Sequence, residues 1–201
     1  MRRGRRRKAL FRGQVGKLRR GDGGHFRRRH IRSALLGRRW AHKGKGLGKD
    51  QGKPLTDAAF RRSELKGSGF EASYAGALSF MRRKYTRDLT GVDVAVTGIP
   101  LDITVSNRPG TRFGPEAIRR ATAQHAWGPV WPWRFDPFDT LAVVDYGDCD
   151  WDWGSPLTIA DAITAHVAGI LAAGATTLNL GGDHFTTYPS LRAYAAKYGP
   201  I

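Results

Sequence analysis

Apolar residues come in short bursts along the second half of the chain, and each burst ends on glycine, proline or acidic residues. Residues 92–100, "VDVAVTGIP", form a β-branched run closed by Gly98 and Pro100, which predicts a buried strand. Residues 141–150, "LAVVDYGDCD", predict a second buried strand that turns acidic at its carboxyl end, and "ATTLNLGGDH" (175–184) a third. Between them the period changes. "PEAIRRAT" (115–122) predicts a short helix with Pro115 in its first turn and Glu116 at the positive end of the dipole. "SPLTIADAITAHVAGILAAG" (155–174) predicts a longer one, capped by Ser155 and stopped by Gly174, and "YPSLRAYAAKYG" (188–199) a third. Strands alternating with helices argue for a parallel sheet with right-handed crossovers and helices on both faces. In such sheets ligands bind outside the carboxyl ends of the strands, where "GIPLD", "YGDCD" and "GGDHF" all lie.

The flanking segments are less regular. "KPLTDAAFRRSEL" (53–65) and "SYAGALSFMRRKYTRDL" (73–89) show helical spacing, and in the second Ala75, Leu78, Met81 and Tyr85 fall near one face. On that pattern Arg82, Arg83 and Lys84 occupy a solvated helix face. "WGPVWPWRFDPFD" (127–139) has too many prolines for a helix and reads as a packed aromatic loop.

Charge divides the chain more sharply than hydropathy does. Of 201 residues with a net charge of +17, residues 1–66 hold 23 Lys+Arg against 4 Asp+Glu, and the remainder 11 against 13. Residues 1–51 are basic, glycine-punctuated and poor in apolar residues, so we expect a disordered extension ahead of a domain over residues 52–201. Translation from a mistaken start, a solvated tail and a nucleic-acid-binding arm are the three readings of that extension. It contains no zinc-finger spacing, RNA-binding signature or interleaved aromatics, and His25, His30 and His42 lack ligand-like spacing. A nucleic acid is therefore not the expected partner, although a basic nucleic-acid-binding protein built on residues 1–66 is the alternative of another class. No apolar run reaches the roughly 18–20 residues of a membrane helix. One cysteine, Cys149, suits a reducing compartment, and a soluble cytoplasmic protein is the expectation.

Three places carry candidate chemistry. His184 follows a diglycine at a strand end, where the backbone approaches closely and an imidazole projects into a crevice as metal ligand or general base. Asp145, Asp148, Asp150 and Asp152 form an acidic strand end that either binds a hard cation or simply alternates along a loop. The turn Ser106–Arg112 offers Asn107, Arg108 and Arg112, whose arginines either orient an anionic group, bridge to a neighbouring subunit, or fix the loop on carbonyls. His166, in mid-helix, has an ordinary explanation in burial or a helix-face position. Cys149 has no sequence case as a nucleophile, and no Gly-x-Ser-x-Gly elbow, dinucleotide fingerprint or phosphate-loop motif is present.

"VTGIPLDITVSNRPGTRFGPEAIR", "VVDYGDCD" and "LGGDHFTTYPSLRAYAAKYG" resemble the arginase/agmatinase (ureohydrolase) family, most closely its agmatinase-type members, over residues 52–201. That resemblance implies a three-layer α/β/α fold and a binuclear manganese centre whose bridging water attacks a guanidinium carbon and expels urea. Agmatine, giving putrescine, is the implied substrate, with guanidinobutyrate or another guanidino acid the alternative; a homo-oligomer is implied for the complete protein. His184 matches the family's manganese-ligating histidine, with Gly181, Gly182 and Asp183 completing its motif. The Asn107–Arg112 loop is the substrate-loop candidate. The family's other ligands come from an Asp-x-His-x-Asp motif on the next strand and a later Asp-x-Asp, and neither follows His184 here. The expectation is an N-terminal fragment that holds no manganese pair, is inactive alone, and has an open, aggregation-prone sheet edge. A further alternative is an inactive module that joins a homologue through its aromatic loop.

Overall fold

The computed structural model describes residues 56–129 and 131–200, so the expectation for the basic extension, with His25, His30 and His42, lies outside the described residues. Strands β1 (Lys84–Tyr85), β2 (Val94–Ile99), β3 (Val143–Asp148) and β4 (Thr176–Gly181) form one sheet in the order β1-β3-β2-β4, with every pairing parallel. Helices α1 (Ala58–Arg61), α2 (Gly114–Thr122), α3 (Ile159–Ala172) and α4 (Thr187–Tyr198) connect or flank the strands.

Alternation along β2 explains the layers. Val94 and Val96 pack with Val143, Leu180, Phe138 and Ile118 of α2 on one face. Ala95 turns to the other, against Val144 and Ile170 of α3, and Ile99 meets Ile159 and Ile163 there. Each such aliphatic side chain contributes about 1.5–3 kcal/mol on burial. Helix α4 lies on the α3 side, joining Ala193 to Val167 and Leu171. The expected α/β/α sandwich is thus present, with the predicted strands and their intervening helices within a few residues of their expected bounds. One detail differs at α3: Ser155 makes no side-chain cap, and the helix is entered through a 3-10 turn, Pro156–Thr158. β4 also differs from a fully buried strand. Thr176 and Leu178 are exposed and only Leu180 is buried, because among the described residues β4 has a partner on one side only.

The segment before β2 departs most from its sequence pattern. Of residues 53–65 the described part, 56–65, yields the single turn α1, and residues 73–89 form no α-helix but a 3-10 turn, Phe80–Arg82, followed by β1. Met81 and Arg82 adopt φ of 46° and 54°. Far from lying on a solvated face, Arg82 and Arg83 are buried. Arg82 donates to the carbonyls of Ala72, Ser73 and Ala77; Arg83 donates to those of Gly67 and Met81 and sits 4.1 Å from the centre of the Phe138 ring. The aromatic loop is likewise not packed. Trp131, Trp133 and Phe135 are exposed, Trp133 stacks on Phe135, and Phe138 is the ring that enters the core.

His166 is half-buried on α3, within the ordinary structural explanation expected of it. Thr97 Oγ1 donates to the Gly147 carbonyl, so the 2.7 Å contact from His166 Nε2 is a donation to Thr97 by neutral imidazole. Burial first, then the nearby Arg87 guanidinium, pushes its pKa from 6.5 down to about 4, against a smaller opposing effect of Asp148. A depressed histidine pKa means that the unfolded chain binds the proton more readily. The stabilisation is therefore complete above pH 6.5 and lost as pH falls towards 4. Melting temperatures between pH 7 and 5 should fall for the native chain and stay flatter for His166→Gln, which keeps a donor towards Thr97. Equal slopes would contradict this.

Candidate functional site

Connections from β2 and β4 leave the sheet on opposite faces, β2 towards α2 and β4 towards α4, which opens a crevice between their carboxyl ends. The diglycine of β4 occupies that point. Gly182 has φ +47°, and a Cβ there would meet the Ile99 carbonyl oxygen at 2.3 Å and that of Leu101 at 2.9 Å. At the start of α2, a Cβ on Gly114 would meet the Gly181 carbonyl oxygen at 2.6 Å. Three backbone segments therefore converge where no side chain fits.

His184 follows at once, exposed, opening the 3-10 turn His184–Thr186 that leads into α4. It borders an open cavity of 620 Å³ whose other walls include Thr177, Asn179, Gly182 and Ser190. Asn179 Oδ1 is buried without a donor on the strand wall. The neighbouring carboxylate of Asp183 is not available to a cation, because it accepts from Phe185 N at one oxygen and from Ile103 N and Thr104 N at the other. Among the described residues no three His, Cys, Asp or Glu side chains are grouped to hold a metal. The donors among the described residues thus do not fit a two-metal centre; they present one imidazole at the end of β4.

The loop after β2 borders the same crevice. Buried Asp102, which the sequence pattern did not single out, accepts from Gly110 N at 2.6 Å and from Arg112 Nε at 3.0 Å. Its carboxyl is held below the ordinary range, first by the Gly110 N–H and then by the Arg112 guanidinium. Arg112 is therefore a loop-fixing residue. Asn107 and Arg108, at the exposed tip, make no hydrogen bond or ion pair among the described residues and remain free to meet a ligand.

At the end of β3 the acidic cluster has a different occupation from cation binding. Asp145, fully buried, receives Arg119 Nε at 2.7 Å and the second Arg119 nitrogen at 3.0 Å, together with Phe80 N and Gly147 N. Asp148 Oδ1 takes the third Arg119 contact at 2.7 Å. Asp150 and Asp152 accept from Trp151 N and Gly154 N. Burial alone would lower the Arg119 pKa, but the two carboxylates hold it above its ordinary value. Sequence reading missed Arg119, although its position one turn beyond Pro115 puts it on the buried stripe of α2. Cys149 is buried, and burial pushes its thiol up to about 12, which excludes a thiolate nucleophile at neutral pH.

Residues 92–201 match the model of the arginase family. The chain is 59% identical over 143 residues to an agmatinase of Chromobacterium violaceum, covering 71% of this chain and 44% of that protein. An agmatinase of Proteus mirabilis is 42% identical over 133 residues, covering 63% of this chain and 42% of that protein. Among solved structures, a hypothetical agmatinase from Burkholderia thailandensis superimposes with a TM-score of 0.70 at 55% identity, over 73% of this chain and 47% of that one. Proclavaminate amidino hydrolase from Streptomyces clavuligerus gives 0.59 at 36% identity, over 65% and 43%. The chain thus spans less than half the length of these relatives.

Proposed function

Because the chain belongs to the arginase family, we propose that it forms part of a hydrolase that cleaves a guanidino compound, agmatine first among them, into an amine and urea. The observation that carries this reading is the family match over residues 92–201, the stretch that builds the crevice and presents His184, beside 59% identity to an agmatinase over 143 residues of the chain. His184 is proposed as a ligand of one ion of a manganese pair, because it matches the family's metal-ligating histidine and neutral imidazole is a common metal ligand. The pair would need carboxylates that the described residues do not bring to it. Within this chain, Gly181 and Gly182 seat the turn, Asp102 and Arg112 fix the adjoining loop, and Asn107 and Arg108 face outward from its tip. A soluble homo-oligomer is the proposed state of the whole protein; no helix among the described residues is long and apolar enough to cross a membrane.

One observation favours a second substrate. Arg108, at the loop tip, makes no ion pair among the described residues, and it would attract the carboxylate of a guanidino acid while repelling the ammonium end of agmatine.

A chimera tests both readings. Residues 92–201 would replace the matching stretch of the Chromobacterium violaceum agmatinase, and urea release would be measured with agmatine and with 4-guanidinobutyrate. The folded chimera should release urea, and His184→Ala should cut the rate about 100-fold or more, beyond the 10–100-fold typical of residues that only support a ligand. The 201-residue polypeptide alone should release none and bind no stoichiometric manganese at micromolar concentration by calorimetry. A folded but inert chimera sinks the assignment, and turnover by the isolated chain sinks the proposed sharing of ligands.

A further inference from the structure

The Gly-Gly-Asp-His turn and the Asn107–Arg112 loop lie far apart in the sequence, yet one side chain joins them. Asp183 Oδ1 accepts from Phe185 N at 3.1 Å, which caps the turn that begins at His184. That is the ordinary task of an aspartate at a helix start, and it uses one oxygen. Oδ2 does something local capping does not require. It accepts from Ile103 N and Thr104 N, both at 2.8 Å, across 80 and 79 residues of chain. The Asp183 backbone reinforces the junction, its N–H donating to the Leu101 carbonyl at 2.9 Å and its carbonyl accepting from Thr186 Oγ1 at 2.8 Å.

We infer that Asp183 is a positioning residue, which locks the loop carrying Asn107 and Arg108 to the turn carrying His184. The loop needs such a lock. Ile103, Thr104 and residues 106–109 are exposed, so apolar packing does not hold them. At the far end, Gly110 and Arg112 are fixed on Asp102. Between these anchors, the bonds to Asp183 are the hydrogen bonds the described residues make. An ionised carboxylate is suited to the task because it accepts several N–H donors at once, and charge-assisted bonds are short and strong. Serine would retain a cap oxygen but lacks the reach for the second strand's loop, whereas asparagine keeps one oxygen able to serve Ile103 and Thr104. Its bearing on catalysis rests on the function proposed above; the geometry itself does not, and is tested without turnover.

Amide hydrogen exchange on the 201-residue chain, read residue by residue by NMR, separates the two tasks. In the native chain Ile103 and Thr104 should be protected despite their exposed side chains. In Asp183→Ser both should exchange about 10–100-fold faster, while Gly110 keeps its protection through Asp102 and the amides of β2 and β3 keep theirs. Asp183→Asn should restore Ile103 and Thr104 to within about threefold of the native rate. Unprotected Ile103 and Thr104 in the native chain would overturn the inference, a result that stands even if the serine variant fails to fold. Unchanged rates in Asp183→Ser, or a uniform acceleration over the whole sheet, would overturn it too. Because these readouts need neither metal nor substrate, failure of the lock is distinguishable from failure of the proposed hydrolase function.

Discussion

Arg119→Met should bring the protein close to unfolding at room temperature. The guanidinium serves fully buried Asp145 with two nitrogens and Asp148 with a third. Methionine fills similar space, so the lost volume is small. What remains is an ionised carboxylate with no exposed surface and no counter-charge, for which breaking a buried pair typically costs about 3–5 kcal/mol. That is a large part of the roughly 5–15 kcal/mol that holds an ordinary domain together. Two backbone donors, Phe80 N and Gly147 N, still solvate Asp145 and keep the cost from running higher. Urea denaturation followed by tryptophan fluorescence reads the effect directly; a loss below about 1 kcal/mol would mean that water reaches Asp145. Replacing Asp145 and Arg119 together by apolar residues should recover much of the loss, since a buried ion pair is often no more stabilising than a well-packed hydrophobic substitute.

Gly182→Ala should be severely damaging for a single added methyl group. Its left-handed backbone costs an L-residue about 1–2 kcal/mol before any contact is considered. The added carbon then lies 2.3 Å from the Ile99 carbonyl oxygen, and backbone does not rotate away as a side chain would. Overpacking of this kind adds about 1–3 kcal/mol. β4 must draw back from β2 or the turn must open, and either movement displaces His184. Gly91→Ala provides the control, with a similar φ of +69° and nothing within 4 Å. The melting point should drop several degrees further for Gly182→Ala than for Gly91→Ala. Equal drops would show that conformation alone, without the close approach, requires glycine at Gly182.

Much of the sheet was legible because its signals are local. Val94–Ile99 is apolar on both sides, as a strand covered by two layers must be, and the helices between strands announce themselves by period, proline and glycine. The place of His184 was legible for the same reason, since a diglycine after an apolar run says where the backbone crowds. The missed features depend on partners remote in sequence. Leu78, Met81 and Tyr85 keep a helical interval, but Asp145 draws the Phe80 N–H at 2.7 Å from 65 residues away, and buried arginines bond to loop carbonyls instead of water. No local pattern carries that information. The four aspartates after Val144 looked alike as letters, and only Arg119, 26 residues before the first, separates the pair it binds, Asp145 and Asp148, from exposed Asp150 and Asp152. Asp102 was passed over because one carboxylate after a strand is unremarkable until Gly110 and Arg112 fold back upon it. The aromatic loop failed differently: prolines correctly excluded a helix, but richness in tryptophan was read as packing where the rings lie outward.

The place of β2 at the middle of β3 and β4 has a consequence during synthesis. Both of its neighbours are encoded after it, and the second is complete only at Gly181. Ribosomes adding about 5–20 residues per second need roughly 4–16 seconds for the intervening stretch of about 80 residues. For that interval the nascent chain carries an uncharged "VAVTGI" segment with both edges bare, the kind of sequence that pairs with copies of itself. Yield of soluble protein should therefore depend on translation speed and on chaperone supply before it depends on the stability of the finished sheet.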